Sequence, residues 1–170
     1  VSPYNVIAQI IKKHIACMQI ATEEKSRVIE IPVCYRSEFA PDLDLVAKHN
    51  SLTVDEVISI HVAGEYLVYM LGFMPGFPYL GNMSEKIATP RLPVPRREVP
   101  AGSVGIGGLQ TGIYPYQSPG GWNIIGRTPL RLFDLQRQPP NLLQIRDKVR
   151  FNSITVEEFD AYSKDGAKID

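Results

Sequence analysis

The stretch from Tyr69 to Pro129 decides the fold of the chain. It reads YMLGFMPGFPYLGNMSEKIATPRLPVPRREVPAGSVGIGGLQTGIYPYQSPGGWNIIGRTP. It holds 11 of the 13 glycines and 9 of the 14 prolines. Such a composition is typical of a linker, but aromatic residues are interleaved here, and disordered segments lack that apolar surface. Because glycine permits tight turns and proline fixes φ, the stretch predicts short strands joined by rigid turns.

The charge of this stretch differs from that of the rest of the chain. It carries five basic and two acidic side chains, which are Lys86, Arg91, Arg96, Arg97, Arg127, Glu85 and Glu98. The whole chain has 18 basic and 18 acidic side chains, so the stretch is net +3 and the remainder net −3. This pattern favours a weakly basic, aromatic-lined surface for a partner or an anionic ligand. A β-rich core with nothing bound is the open alternative.

Length and composition exclude several classes of protein. A chain of 170 residues fits one domain with a real core, and its balanced charge gives no global attraction to nucleic acid or membrane. Cys17 and Cys34 have no metal-ligand spacing, which predicts reduced thiols, no metal site and a cytoplasmic location. No apolar run is long enough to predict a membrane span.

Several short segments carry helix signals. Ser2 and Pro3 predict a helix start, and Pro41–Asn50 predicts a short helix that ends with Asn50 in a left-handed conformation. The capping boxes at Thr53–Glu56 and Thr155–Glu158 predict two more helices. The adjacent second and third helices suggest a helix-turn-helix, but the third offers no Lys or Arg, which disfavours DNA binding.

Other segments have the alternation or the β-branched and aromatic composition of strands. They are 28–35 with Pro32 at an edge or bulge, 65–71, 103–107, 122–126, 130–135 and closing strands within 142–151. Many short strands separated by turns indicate a mainly β fold, a barrel or sandwich with helices at its ends.

The sequence offers hydrogen-bond donors rather than a catalytic motif. Phosphate-binding glycine motifs, zinc-protease motifs and nucleophile elbows are absent. The histidines His14, His49 and His61 fall on predicted helices outside the glycine- and proline-rich stretch, which predicts helix-surface or partly packed roles. No catalytic residue is therefore assigned.

Candidate binding residues come from the rigid stretch. They are Phe77, Tyr79, Arg97, Gln110, Thr111, Tyr114, Trp122 and Arg127. Core packing is the alternative for Phe77, Tyr79 and Trp122, and it is the favoured one for at least one of them. Bracing of loop carbonyls is the open alternative for the arginines, and it is less favoured for Arg97 and Arg127.

Six motifs resemble the KipI family, also described as allophanate hydrolase subunit 1-like or as the 5-oxoprolinase component PxpB. They are Gly72–Gly81, Thr89–Pro93, Val99–Val104, Gln110–Pro115, Ser118–Trp122 and Ile125–Leu130. The resemblance implies a cyclophilin-like β-barrel with two or three short helices at its ends, similar to part of the carboxyltransferase domain of urea carboxylase. Residues 27–160 would form that domain, 1–26 a trailing helix and linker from an upstream domain, and 161–170 a tail.

The resemblance implies two activities. One is a subunit of an ATP-dependent 5-oxoprolinase that opens 5-oxoproline to glutamate together with KipA-like (PxpC) and PxpA sister subunits. The other is inhibition of autophosphorylation of a sporulation sensor histidine kinase through its dimerisation helices. An enzyme-subunit role without a kinase partner is the alternative. ATP would be bound in the assembled complex, and the chain alone would need no cofactor.

The site is expected on one face of the barrel. The 73–81 loop, Arg97, the 110–116 loop and the 118–127 loop would form this face. A kinase helix would pack on Phe77, Tyr79 and Trp122, whereas a small anionic lactam would use the arginines with Gln110 and Thr111.

Overall fold

The computed structural model describes residues 2–17 and 26–164, and these residues form four α-helices, nine β-strands and one 3₁₀ helix. In chain order the elements are α1 (Pro3–Cys17), β1 (Val28–Val33), α2 (Leu43–His49), α3 (Val54–Ala63), β2 (Tyr66–Leu71), β3 (Pro78–Gly81), a 3₁₀ helix (Glu85–Ile87), β4 (Arg96–Val99), β5 (Ser103–Gly107), β6 (Gln110–Ile113), β7 (Ser118–Gly120), β8 (Asn123–Arg127), β9 (Lys148–Ser153) and α4 (Val156–Lys164).

Seven of the strands form one sheet that nearly closes on itself. Its order is β1-β9-β2-β3-β6-β5-β8, with β1 and β9 parallel and the other pairs antiparallel. A bridge between Cys34 and Arg127 joins its two outer ends. The remaining strands, β4 and β7, form a separate two-stranded ribbon. The expectation of a mainly β, barrel-like fold is confirmed, and Pro32 lies in an edge strand of the sheet.

Alternation along β5 and β6 separates the inside of the barrel from its outside. Val104, Ile106 and Ile113 are buried in the main core, and Thr111 pairs with Ile106. Because successive residues of a strand point to opposite faces, Gly105 and its neighbours in register point outward. The barrel wall thus has an apolar inner face and a glycine-rich outer face.

The helices beside the barrel begin where the capping signals predict. Thr53 accepts from the backbone N–H of Glu56, and the Glu56 carboxylate accepts from the backbone N–H of Thr53. Thr155 and Glu158 make the same pair of bonds at the start of α4. These reciprocal bonds satisfy helix-end donors that would otherwise lack partners.

The predicted left-handed conformation of Asn50 is wrong. Asn50 has φ −96°, and its side-chain Nδ2 donates to Val46 O at 2.9 Å and to Thr89 Oγ1 at 3.1 Å. The next residue, Ser51, adopts the positive φ of 56° instead. The amide side chain therefore ends α2 by bonding, and the turn is displaced by one residue.

The predicted strand at 130–135 is also wrong. Apart from one isolated bridge at Phe133, the segment has no strand pairing. Its backbone groups bond within a loop: Asp134 N donates to Pro140 O and Leu142 N to Leu132 O. Arg137 Nη2 also donates to Leu132 O and Pro140 O. Leu130 and Leu132 are nevertheless buried, so the alternation of 130–135 indicates which side chains are buried but not a strand.

The first helix follows the predicted start, with Pro3 as its first residue. Its apolar residues Val6, Ile7 and Ile10 are exposed. Much of the predicted linker 21–27 and of the tail 161–170 lies outside the described residues. Within residues 2–17 and 26–164, no helix combines the length and apolarity needed to cross a membrane.

His61 is fully buried inside the barrel, whereas the sequence predicted a helix-surface or partly packed role for it. His61 on α3 is fully buried, with Nδ1 2.7 Å from the Tyr35 hydroxyl and Nε2 3.1 Å from Thr111 Oγ1. Thr111 donates its own proton to Gly105 O at 3.0 Å. Thr111 therefore accepts from His61 Nε2–H, and the Tyr35 hydroxyl donates to Nδ1. Burial lowers the pKa of His61 to about 3, so the imidazole is neutral.

His61 should make the fold sensitive to acid. The ordinary pKa of 6.5 applies in the unfolded chain and a value of about 3 in the folded one. As pH falls below 6.5, the unfolded state binds a proton that the folded state excludes. Stability is therefore full above this range and should fall by about 2 kcal/mol by pH 5 from this group alone. Urea unfolding at pH 7 and pH 5 should show His61→Gln losing this part of the pH dependence.

His49→Gln, at the exposed end of α2, is the matched control and should keep the wild-type dependence. Parallel pH profiles for the wild type and His61→Gln would contradict the assignment. In the wild type, the imidazole signals of His61 should not titrate in NMR spectra between pH 7 and pH 4.5.

Candidate functional site

Four of the predicted site residues lie together outside the barrel wall. The ring centroid of Phe77 is 5.0 Å from that of Tyr79, 5.2 Å from that of Tyr114 and 5.5 Å from that of Trp122. The rings meet edge to face, the arrangement that their quadrupoles favour. These four residues, with the supporting side chains Val99 and Ile124, are called the outer aromatic cluster.

Glycines create the space in which this cluster packs. A Cβ atom added at Gly107 would lie 2.7 Å from the Trp122 ring, and one at Gly112 would lie 3.0 Å from it. Gly112 and Gly105 are paired in register on the outward face of β5 and β6. The indole therefore lies directly on backbone that carries no side chains. The glycine content of the sequence is thus a packing requirement at this wall.

Burial limits what the cluster can offer a partner. Phe77 and Tyr114 are each 2% exposed and Trp122 is 5% exposed, whereas Tyr79 is half-buried. The expectation that a partner helix packs directly on Phe77 and Trp122 is therefore corrected. Phe77 and Trp122 act as a rigid support, and Tyr79 reaches the surface beside them.

The predicted donors Gln110 and Thr111 lie on opposite sides of the wall. Thr111 is fully buried inside the barrel and bonded to His61, so the prediction that it contacts an external lactam is corrected. Gln110 is half-buried and paired with Gly107 on the outer side. Gly108 begins the tight turn between β5 and β6 with a φ of +67°, a conformation that suits glycine. Because successive residues of a strand point to opposite faces, the neighbours Gln110 and Thr111 lie on different sides of the wall.

Arg96 and Arg97 have different environments although they are adjacent. The Arg96 guanidinium makes a two-pronged ion pair with the buried Asp42, which also accepts from Ile124 N at 2.7 Å. This pair attaches the β4 ribbon to the start of α2 and to β8. Arg97 is exposed and makes no side-chain hydrogen bond or ion pair within residues 2–17 and 26–164. No sequence pattern indicated the Asp42 pairing, because 54 residues separate the partners.

Arg127 lines two clefts, and one of them is also lined by Val99 and Ile124 of the outer aromatic cluster. Its Nε donates to Ala101 O at 2.8 Å, so it braces a loop carbonyl, which was the less favoured alternative for this residue. Burial lowers the pKa of its guanidinium. The same side chain lines a cleft of about 660 Å³ together with Tyr116, Thr128 and Phe133. None of the four clustered rings lines this cleft, so the predicted face consists of two neighbouring parts.

The cluster has a positive rim. The Cζ atom of Arg91 lies 5.6 Å from the centroid of the Trp122 ring, a cation–π contact that the sequence did not reveal. Burial raises the pKa of Tyr114, while a backbone hydrogen bond from Trp122 and the charges of Arg91 and Arg96 lower it. The charge of Arg91 can attract anions or carbonyl oxygens. Within the described residues, His, Cys, Asp and Glu form no group of three or more that could hold a metal ion.

Comparison with known families matches residues 1–143 to "Carboxyltransferase domain, subdomain C and D". The B subunit of the Bacillus subtilis 5-oxoprolinase is 52% identical over 164 residues, which is 96% of this chain and 68% of the relative. The B subunit of the Escherichia coli O157:H7 5-oxoprolinase is 55% identical over 131 residues, which is 77% of this chain and 60% of the relative. The chain thus spans between three fifths and just over two thirds of these relatives.

Solved structures show the same fold. A conserved uncharacterized protein of Pyrococcus horikoshii superposes with a TM-score of 0.76 at 49% identity, covering 92% of this chain and 68% of that one. The urea carboxylase of Kluyveromyces lactis gives a TM-score of 0.76 at 21% identity, covering 98% of this chain and 17% of that one. The second likeness shows the fold alone, and it matches the barrel described above.

Adding one methyl group under Trp122 should disturb the cluster. In Gly107→Ala the new Cβ would overlap the indole, so we expect a loss of about 1–3 kcal/mol of unfolding free energy from overpacking. Trp122 is the only tryptophan of the chain, so its fluorescence emission should shift to the red as the ring moves toward water. Urea unfolding and emission spectra measure both effects.

Gly72→Ala is the matched control, because its new Cβ would lie no closer than 3.7 Å to another side chain. It should change stability by less than about 0.5 kcal/mol. If Gly107→Ala left both stability and emission at wild-type values, the packing of Trp122 on the glycines would be refuted.

Proposed function

The chain belongs to the carboxyltransferase subdomain C and D family, and from that membership we propose that it acts as the B subunit of a 5-oxoprolinase. The observation that carries the proposal is the 52–55% identity to proteins named as this 5-oxoprolinase component over 75–96% of the chain. At that identity, both the fold and the residues of its outer face are expected to be shared.

The outer aromatic cluster suits one component of an assembly rather than a complete enzyme. Its side chains are aromatic, and its rim adds the cation of Arg91, so it can bind and orient but lacks an acid–base pair. His61 cannot supply the base, because it lies inside the barrel with both ring nitrogens bonded. Opening a lactam also needs a nucleophilic water and, in the family, ATP. In the proposed function, sister subunits provide the ATP site and the acid–base groups.

Preformed loops support the binding role. Arg97 is exposed on the ribbon next to Arg96, whose bond to Asp42 holds that ribbon on the barrel. Tyr79 reaches the surface next to the buried Trp122. A surface fixed in advance loses little entropy on association, and arginine and tyrosine frequently dominate interfaces. We place the contact with the sister subunits at Arg97 and Tyr79, in the cytoplasm.

The test is reconstitution. The chain alone should hydrolyse neither ATP nor 5-oxoproline above a buffer blank, and activity should appear when KipA-like (PxpC) and PxpA sister subunits are added. Activity of the isolated chain, or an inactive mixture that contains all subunits, would refute the proposal.

The contact surface can be tested on the same assembly. Arg97→Ala and Tyr79→Ala should each weaken association by about 1–3 kcal/mol, the scale of a lost charge-assisted hydrogen bond or interface anchor. Lys12→Ala, on the exposed side of α1, should leave affinity unchanged. Light scattering or calorimetry measures affinity, and circular dichroism confirms folding. If both variants kept full affinity while folded, this surface would be excluded.

A second proposed role is inhibition of a sensor histidine kinase. Beside the outer aromatic cluster, Phe73 is 63% exposed and its ring centroid lies 5.6 Å from that of Phe77. Phe73 is also held at a positive φ of 66°. An exposed aromatic ring on a fixed loop suits the apolar face of a helix, such as a kinase dimerisation helix.

The kinase role predicts that the chain lowers autophosphorylation of a sporulation kinase core. Phe73→Ser should abolish the effect, while Lys12→Ala should preserve it. If the kinase is unaffected while the oxoprolinase assembly is active, the enzyme-subunit role stands alone.

A further inference from the structure

Arg91 is held over the outer aromatic cluster in a defined position. Its Cζ atom lies 5.6 Å from the centroid of Trp122, and Trp122 in turn rests on Gly107 and against Phe77. Tyr79 stands beside the same indole, with ring centroids 6.0 Å apart. An exposed guanidinium and a half-buried phenol therefore both lie against the same buried indole.

Hydrogen bonds fix the backbone on both sides of Arg91. Asn123 Nδ2 donates to Pro90 O at 2.8 Å, and Leu92 N donates to Gly121 O at 2.7 Å. These bonds attach the residues flanking Arg91 to those flanking Trp122. Proline at position 90 further restricts the segment. The backbone that carries Arg91 is thus held beside the Trp122 ring.

The charge of Arg91 is not neutralised by the chain. Four other arginines form ion pairs, which are Arg27–Asp147, Arg96–Asp42, Arg131–Asp134 and Arg150–Glu65. Within residues 2–17 and 26–164, Arg91 has no carboxylate within ion-pair distance. Because the Arg91 side chain makes no hydrogen bond or ion pair within the described residues, its planar N–H fork can make a two-pronged bond to a carboxylate.

We propose that Arg91, Trp122 and Tyr79 form a binding subsite for a small carboxylate that also carries a planar amide. The edge of Arg91 would hold the carboxylate, and the Tyr79 hydroxyl would donate to the amide carbonyl. The naming of 5-oxoproline as the natural ligand rests on the proposed function. The recognition of a carboxylate rests on Arg91 alone.

Trp122 provides the measurement, because it is the only tryptophan of the chain. Its fluorescence is followed while the isolated chain is titrated with 5-oxoproline, or with 2-pyrrolidinone, which has the same lactam ring without the carboxylate. We expect a saturable change with 5-oxoproline and at least about tenfold weaker binding of 2-pyrrolidinone, the loss expected for one charge-assisted contact.

Three variants locate the anion contact. Arg91→Gln should weaken binding of 5-oxoproline at least about tenfold, and Arg91→Lys less, since lysine keeps the charge but lacks the planar fork. Arg146→Gln is the matched control, because Arg146 is also exposed and lies in the turn before β9. It should bind as the wild type does. Midpoints rather than amplitudes are compared, because removing Arg91 alters the starting emission.

Three results would overturn the subsite: no saturable change with the wild-type chain, equal binding of the neutral lactam, or an unchanged midpoint in a folded Arg91→Gln variant. Reconstituted activity separates this proposal from the subunit role. If the assembly is active and Arg91→Gln leaves its KM for 5-oxoproline unchanged, the subsite is refuted and the subunit role stands. If the assembly is inactive but binding to the isolated chain still depends on Arg91, the subunit role is refuted and the subsite stands.

Discussion

The outer face of this barrel depends on the absence of side chains at Gly105, Gly107 and Gly112. Strand register directs these positions away from the core, so a larger residue at any of them would occupy the volume that Trp122 fills. Once the indole lies against the wall, Phe77 and Tyr79 pack around it. At Gly120, a Cβ atom would similarly lie 2.4 Å from the Tyr114 hydroxyl. The glycines at these positions allow the aromatic rings to pack closely against the wall. This close packing makes the outer face rigid.

Local signals explain why much of the fold could be predicted from the sequence. The capping boxes at Thr53 and Thr155 involve residues three positions apart, and their hydrogen bonds formed as predicted. The β-branched and aromatic residues of 65–71 likewise predicted the strand that forms there as β2, and the predicted strand 103–107 forms as β5, which is buried along its whole length. By contrast, the alternation of 130–135 predicted a strand, yet the segment forms a loop in which Arg137 donates to the carbonyls of Arg131 and Leu132. The periodicity of a sequence does not reveal side-chain hydrogen bonds of this kind.

The site was harder to predict because its deciding contacts are long-range. The motif resemblance pointed to a region in which four aromatic residues come together. The sequence could not show that Thr111 turns inward to His61, 50 residues away, or that Asp42 neutralises Arg96 but leaves Arg97 exposed. A shift of one residue along a strand exchanges inside for outside, so adjacent residues such as Gln110 and Thr111 have unrelated environments.

The two faces of the barrel wall also constrain the chemistry. On the inner face, the relay from Tyr35 through His61 and Thr111 to Gly105 uses every donor and acceptor of the imidazole, and burial lowers the pKa of His61 to about 3. Such a group cannot take a proton from an attacking water at neutral pH. On the outer face, the cluster supplies phenols and apolar rings, and Arg91 adds a cation beside Trp122. In the proposed function these groups bind and orient an anion, and the base that opens the amide comes from a sister subunit docked on this face.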